Sequence, residues 1–109
     1  MTASKHTAGP WVYNQWGRQI LTRAKGSDQI LIATVAINTR DDEGSYNAHL
    51  IAAAPQMYDA LEQLADSLEE SIKAEYPEPI HPAVQHKYDR DMSEVIEARN
   101  LLAKARGES

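Results

Sequence analysis

The element that decides the fold is residues 56–72, which read QMYDALEQLADSLEESI. Large apolar side chains recur there at intervals of four, three, four and four residues, at Met57, Leu61, Leu64, Leu68 and Ile72. Side chains three and four residues apart share one face of an α-helix, and acidic residues fill five of the eleven intervening positions. This spacing predicts an amphipathic helix with a single apolar stripe.

On the carboxyl side, three prolines occur within six residues, at Pro77, Pro79 and Pro82, and they predict that the helix ends there. A last helix is predicted from about residue 82 or 83 to Ala105, with Gly107 placed to stop it. Two amphipathic helices joined by a short rigid connector pack most simply as an antiparallel helical hairpin.

On the amino side, residues 47–54 are rich in helix-forming side chains, and Ser45 or Asn47 can cap a helix that begins near residue 46 or 48. Pro55 then lacks the N–H that a helix needs and disfavours helical geometry at the residue before it. We expect a short helix that ends near Ala53, or a kink, with Pro55 opening the next helix.

Residues 11–37 favour extended structure and predict a three-stranded antiparallel meander, with turns at Gly17 and at residues 26–28. The third predicted strand, residues 30–37, is apolar on both faces, so we expect it to be central or covered on both sides. The predicted fold class is therefore α+β, in one domain of residues 1–109, with a sheet part at 11–37 and a helical part at 46–106.

Composition and motifs favour a binding protein over an enzyme. The 109 residues include no cysteine, which excludes disulfides, thiolate metal sites and a cysteine nucleophile. The histidines have no metal-ligand spacing, and no nucleophile elbow or phosphate loop is present. We expect no catalysis, no cofactor and no metal. Residues 1–9 lack the apolar core of a signal peptide and no window matches a membrane helix, so we expect a cytoplasmic protein.

Charge is divided unevenly along the chain. Residues 1–40 hold five basic side chains and one acidic one, whereas residues 41–109 hold six basic and fifteen acidic ones, which together give the net charge of −5. The two segments should therefore attract different kinds of partner. The core is thin and has no phenylalanine, so we also expect a homo-oligomer, formed through the helical hairpin or through the sheet edge.

The basic segment mixes aromatic and guanidinium side chains, a combination that stacks on bases and pairs with phosphates. The candidate ligand-binding residues are Trp11, Trp16, Arg18, Arg23 and Arg40. A small anionic nucleotide suits this set better than duplex nucleic acid, which the acidic segment would repel. The competing interpretation places the tryptophans in the core and the arginines in ion pairs or at a solvated edge.

The acidic helix provides the alternative site. Its outward positions could bind a basic protein surface through Asp59, Glu62, Asp66, Glu69 and Glu70. The competing interpretation is that these carboxylates only keep the helix soluble.

Two segments resemble a family of small proteins encoded by tailed bacteriophages and prophages. Residues 5–11, Lys-His-Thr-Ala-Gly-Pro-Trp, resemble a Lys-His-Thr-Pro-Gly-Pro-Trp opening, with Ala8 in place of proline. Residues 47–61 resemble an Asn-Ala-x-Leu-Ile-Ala-Ala-Ala-Pro helix motif, with His49 where arginine is frequent and Tyr58 where leucine is common. The last helix, residues 98–107, is also similar.

The resemblance implies a phage accessory protein of the host cytoplasm, not a virion component. Small phage proteins of this kind act by stoichiometric binding. Together with the basic, aromatic segment, it suggests counteraction of host defence by sequestering a small nucleotide signal. The alternative is inhibition of a host defence or regulatory complex through the acidic helical face.

Overall fold

A computed structural model describes residues 6–23, 28–35 and 43–108. Three strands come first, β1 (Trp11–Asn14), β2 (Gln19–Thr22) and β3 (Leu31–Thr34). Helix α1 (Glu43–Glu75), a 3₁₀ turn (Pro82–Val84) and helix α2 (Gln85–Ala105) follow. The predicted α+β class is confirmed. The chain forms two compact units, Met1–Met57 and Tyr58–Ser109, and whether they act as one domain stays a prediction.

The sheet is the predicted antiparallel meander, in the order β1-β2-β3. Trp11 lies opposite Thr22 on β2, and the β2–β3 ladder contains an irregularity where it passes from Ile20 to Leu21. The central strand is β2, so the expectation of a central β3 was wrong: β3 lies at the edge, and Leu31 is 51% exposed. An apolar pattern on both faces does not require cover on both faces, because an edge strand can also expose leucine. Positions 36 and 37 of the predicted strand lie outside the described residues.

One face of the sheet forms the core of the first unit. Cross-strand partners share a face, so Tyr13 and Ile20 point the same way, and Ile20 is fully buried. Ala48 and Ala52 of α1 are buried in the same unit, and the His49 ring meets the Tyr13 ring edge-on at 5.3 Å between centroids. The small side chains of these alanines let α1 approach the sheet closely.

Helix α1 runs without interruption through Pro55, so the separate short helix predicted before Pro55 does not exist. It also begins at Glu43, earlier than predicted. A proline inside a helix loses one hydrogen bond, here to the carbonyl of Ile51, and crowds that turn. Pro55 is buried, and a Cβ built on Gly9 would lie 2.9 Å from its Cγ, so the ring packs directly on the backbone of the Gly9 segment. This packing offsets the unfavourable position of the proline.

The second unit is the predicted antiparallel hairpin. As residue numbers rise along α1 and the residue after it, the side-chain partners on α2 and its C-cap fall: Tyr58 contacts Arg106, Asp66 contacts Arg99, and Tyr76 contacts Asp91. Its buried side chains are Ala65, Ile72, Val95 and Leu102.

The core of the hairpin uses only part of the predicted stripe. Ile72 is buried, but Leu64 is 67% exposed and Leu68 is 38% exposed, while Ala65 takes an inward position. The sequence defines an apolar arc wider than one neighbouring helix can cover. The small Ala65 allows α2 to pack on one side of that arc, which leaves the leucines on the other side in solvent.

Both predicted helix ends are confirmed. Helix α1 ends at Glu75, just before the prolines. At the end of α2, Gly107 has a φ of 82°, its N–H donates to the Lys104 carbonyl, and the Glu108 N–H donates to the Ala103 carbonyl. This pair of bonds is the Schellman motif, which needs a left-handed residue and therefore favours glycine.

Candidate functional site

The turn between β1 and β2 presents the most exposed aromatic side chain of the described residues. We call residues 14–19 the hairpin tip. Trp16 is 90% exposed there, and its backbone N–H donates to Asn14 Oδ1 at 3.1 Å. Arg18 is exposed and has a φ of 55°, and its carbonyl accepts a 2.8 Å bond from the N–H of Val35, just after β3. These bonds hold the backbone of the tip, while the Trp16 and Arg18 side chains are exposed.

The other predicted ligand residues lie at the opposite end of the same hairpin. Trp11 opens β1 half-buried, its Nε1–H donates to the Thr7 carbonyl at 3.2 Å, and its ring meets that of His6 edge-on. The Arg23 N–H donates to the Pro10 carbonyl at 3.1 Å. Trp11 is therefore held by the segment before β1, and it is half-buried and not in the core. Arg40 lies outside the described residues.

The two groups are separated by the length of the hairpin ladder. Four residue pairs, from Trp11–Thr22 to Asn14–Gln19, lie between them. At about 3.3 Å per residue this ladder is roughly 10 Å long, without the turn. Trp16 and Arg18 share the hairpin tip, and the backbones of Trp11 and Arg23 lie close together at the other end of the ladder. The structure does not gather the four side chains into one pocket. Nucleotide binding by this set stays a prediction.

Two of the five acidic residues of the alternative site form ion pairs within the helical hairpin. Arg99 Nη2 donates to Asp66 Oδ1 at 3.0 Å and to Glu69 Oε2 at 2.9 Å, and the Asp66 bond contributes most to raising the pKa of Arg99. Lys73 Nζ lies 3.9 Å from Glu69 Oε1. The arginine sits 30 and 33 positions away in sequence, so helix spacing within α1 could not reveal it.

The remaining acidic residues are more available to a partner. Asp59 and Glu70 are exposed, and Glu62 is half-buried. Binding of a basic protein by this face stays a prediction, but its charge is reduced near Arg99.

Polar contacts that the sequence did not indicate lie at both ends of the helical hairpin. Arg106 donates to Tyr58 Oη at 2.9 Å and to Glu108 Oε2 at 2.8 Å, and the bond to Glu108 is the larger cause of its raised pKa. Tyr76 donates to Asp91 Oδ2 at 3.0 Å, and burial together with this bond raises the pKa of Tyr76. The Arg106–Tyr58 and Tyr76–Asp91 bonds join the two arms of the helical hairpin.

An open depression of about 500 Å³ lies at the helix connector, lined by Tyr76, Pro79, Ile80, His81 and Lys87 among others. None of the predicted site residues lines it. Within residues 6–23, 28–35 and 43–108, no three histidine or carboxylate side chains are grouped so that they could hold a metal ion. Neither helix among these residues has the length and apolar character required to cross a membrane.

A comparison with known families identifies the family of the chain. The model of the family described as Salmonella phage P22 protein Y8K6 matches residues 1–109. The chain therefore belongs to this phage family, which confirms the phage setting that the sequence resemblance implied. No curated protein and no solved structure matches.

Proposed function

We propose that this member of the Salmonella phage P22 protein Y8K6 family is a non-enzymatic accessory protein that binds a host protein stoichiometrically through its hairpin tip. The observation that carries the proposal is the 90% exposure of Trp16 on a turn whose backbone is fixed by hydrogen bonds. Leaving a tryptophan in water forgoes a large hydrophobic gain, which a partner's pocket can recover.

The chemistry of the tip favours a protein surface as the ligand. Tryptophan and arginine are, with tyrosine, the residues enriched among binding hot spots, and Trp16 and Arg18 lie two positions apart. The tip projects its side chains outward instead of enclosing a ligand. Small-molecule sites usually bury most of their ligand in a concave pocket. A protein partner would supply that pocket itself.

The proposal is tested by measuring the affinity of a captured partner for tip variants. Wild-type protein is used to capture partners from bacterial lysate, and each recovered protein is purified and titrated against the variants. Trp16→Ala should weaken 1:1 binding at least about tenfold, because truncating a hot spot costs more than about 1.4 kcal/mol. Arg18→Asn should weaken it less, and asparagine is chosen because it tolerates the positive φ at this position.

Tyr46→Ala is the matched control, since it removes another strongly exposed aromatic ring of the first unit, outside the tip. It should leave the affinity unchanged. If Trp16→Ala binds every recovered partner as tightly as wild type does, the tip is not the binding element and the proposal fails.

A small nucleotide signal, the ligand that the sequence favours first, is the second candidate here, because Trp16 supplies an exposed ring for stacking and Arg18 a guanidinium for phosphate. Calorimetry with cyclic nucleotides and adenosine-diphosphate-ribose derivatives tests it. Heat of binding that Trp16→Ala abolishes would favour sequestration of a host defence signal over protein binding. No heat at high protein concentration would remove this candidate.

The acidic face is the other place where a host protein could bind. Reversing Asp59 and Glu70 to lysine leaves the Arg99 contacts in place and changes only exposed carboxylates. If this double variant loses a partner that Trp16→Ala retains, inhibition acts through α1 and not through the tip.

A further inference from the structure

In the second unit, helix α1 carries an uncharged face that α2 does not cover. We call it the α1 apolar face, and it consists of Ala60, Leu61, Leu64, Ser67, Leu68, Ser71 and Ala74. All of these side chains are exposed except Leu61, which is half-buried, and Leu64 is 67% exposed. At about 100° per residue they fall within an arc of about 140°. The charged side chains of the same stretch lie outside that arc, at Glu62, Asp66, Glu69, Glu70 and Lys73.

The spacing on this face is that of a helix-to-helix seam. Leu61, Leu64 and Leu68 are three and four residues apart, and Ser71 continues the pattern. This is the alternation of the a and d positions in a coiled coil, whose side chains insert between those of a facing helix. Small side chains at positions 60, 67 and 74 border the leucines and allow a second helix to approach closely. An α-helix is therefore the surface that fits.

The distribution of charge bears on which protein supplies the facing helix. Residues 58–109 hold twelve acidic and six basic side chains, so two copies of this unit repel each other over most of their surface. The α1 apolar face is an exception, because between Ala60 and Ala74 it has no charged side chain to oppose its own copy. A basic partner would instead gain most on the opposite side of α1, where the carboxylates lie.

We propose that the α1 apolar face is the contact between two copies of this chain, paired through α1 about a two-fold axis. In such an isologous contact each leucine strip packs on the same strip of the partner. The face runs about 21 Å along the helix, at about 1.5 Å per residue. With a width of about one helix diameter, about 10 Å, its area is on the order of 200 Å². A standard interface buries about 800 Å² per partner, so we expect a weak dimer with a micromolar dissociation constant.

Sedimentation velocity over about 5 to 500 µM tests the pairing on the whole chain, since this range brackets a micromolar constant. Wild-type protein should pass from monomer to dimer over this range, and Leu64→Glu and Leu68→Glu should stay monomeric. Leu64 is 67% exposed and Leu68 is 38% exposed, so a charged group at either position can reach solvent, and far-ultraviolet circular dichroism checks that helix content is unchanged. Asn100→Glu is the matched control: it adds the same group at an exposed position of α2 and should dimerise like wild type.

Three results would overturn the proposal. Wild-type protein that stays monomeric at the highest concentration would leave the strip to a different protein. Folded Leu64→Glu protein that still dimerises would place the contact elsewhere. Equal loss of the dimer in Asn100→Glu would show that total charge, and not this face, governs association. None of these results bears on the hairpin tip, whose binding is measured at 1:1 stoichiometry.

Discussion

Replacing Gly9 by alanine tests the contact that allows α1 to continue through Pro55. A Cβ at residue 9 would lie 2.9 Å from Pro55 Cγ and 3.0 Å from Pro55 Cβ, closer than carbon atoms normally approach. The proline side chain is a closed ring on a helix and is buried, so it cannot rotate away. The Gly9 segment, α1 or both would have to move.

The size of the effect follows from two opposing contributions. Inserting a methyl group into a packed contact costs about 1–3 kcal/mol. Glycine to alanine also restricts the unfolded chain, which stabilises the fold by about 0.4–1 kcal/mol. We therefore expect Gly9→Ala to lower the free energy of unfolding by about 1–2 kcal/mol. Gly17→Ala is the control, because its nearest neighbour, at 3.1 Å, is the movable end of the Gln19 side chain, and we expect a change below about 0.5 kcal/mol.

Urea unfolding followed by tryptophan fluorescence measures these changes, since both tryptophans, Trp11 and Trp16, belong to the first unit. A double-mutant cycle with Pro55→Ala isolates the contact. Removing the ring carbons beyond Cβ should recover part of the loss caused by Gly9→Ala. If Gly9→Ala is as stable as Gly17→Ala, or equally destabilising with and without Pro55, the packing explanation for the continuous helix is refuted.

Four further predictions concern the helical hairpin. Arg99→Met should cost about 1 kcal/mol in urea unfolding, because it leaves two carboxylates without their shared cation, and the loss should change with salt since Arg99 is 40% exposed. Val95→Ala should cost about 2–3 kcal/mol, from two lost methyl groups at about 0.8 kcal/mol each and a cavity at a site that is 1% exposed. Gly107→Ala should cost about 1–2 kcal/mol at its φ of 82° and should speed amide exchange in the last turn of α2. The raised pKa of Tyr76 stabilises the fold below pH 10.0, and this contribution is lost as the pH rises through the folded-state pKa, so Tyr76→Phe should lose less stability than wild type in alkaline urea titrations.

The sequence was sufficient for the elements whose cause is local. The extended pattern of the strands, the prolines after Glu75 and the glycine after α2 each depend on residues close in sequence. The structure has strands and helix ends where these patterns predicted them. Pro55 was interpreted as a break because the contact that compensates for it comes from Gly9, which lies 46 positions earlier. The edge position of β3 and the exposure of Leu64 depend in the same way on which elements pack together, which periodicity does not specify.

The candidate sites show the same limit. Trp16 and Arg18 could be identified because a turn keeps neighbours in sequence close in space. Trp11 could not be assigned to the same group or excluded from it without the register of the ladder. Asp66 and Glu69 were interpreted as free carboxylates because their partner, Arg99, belongs to the other helix.

The two proposed surfaces divide assembly and recognition between the two units. Residues 1–57 hold five basic and four acidic side chains and carry Trp16, whereas residues 58–109 hold the excess of acid and carry the α1 apolar face. A dimer formed through α1 would carry two hairpin tips. Two tips on one particle raise the effective concentration for a partner that presents two binding sites, so a weak contact by each tip can hold such a partner firmly. The net charge of −5 per chain is the sum over both units, so it describes neither of the two proposed surfaces.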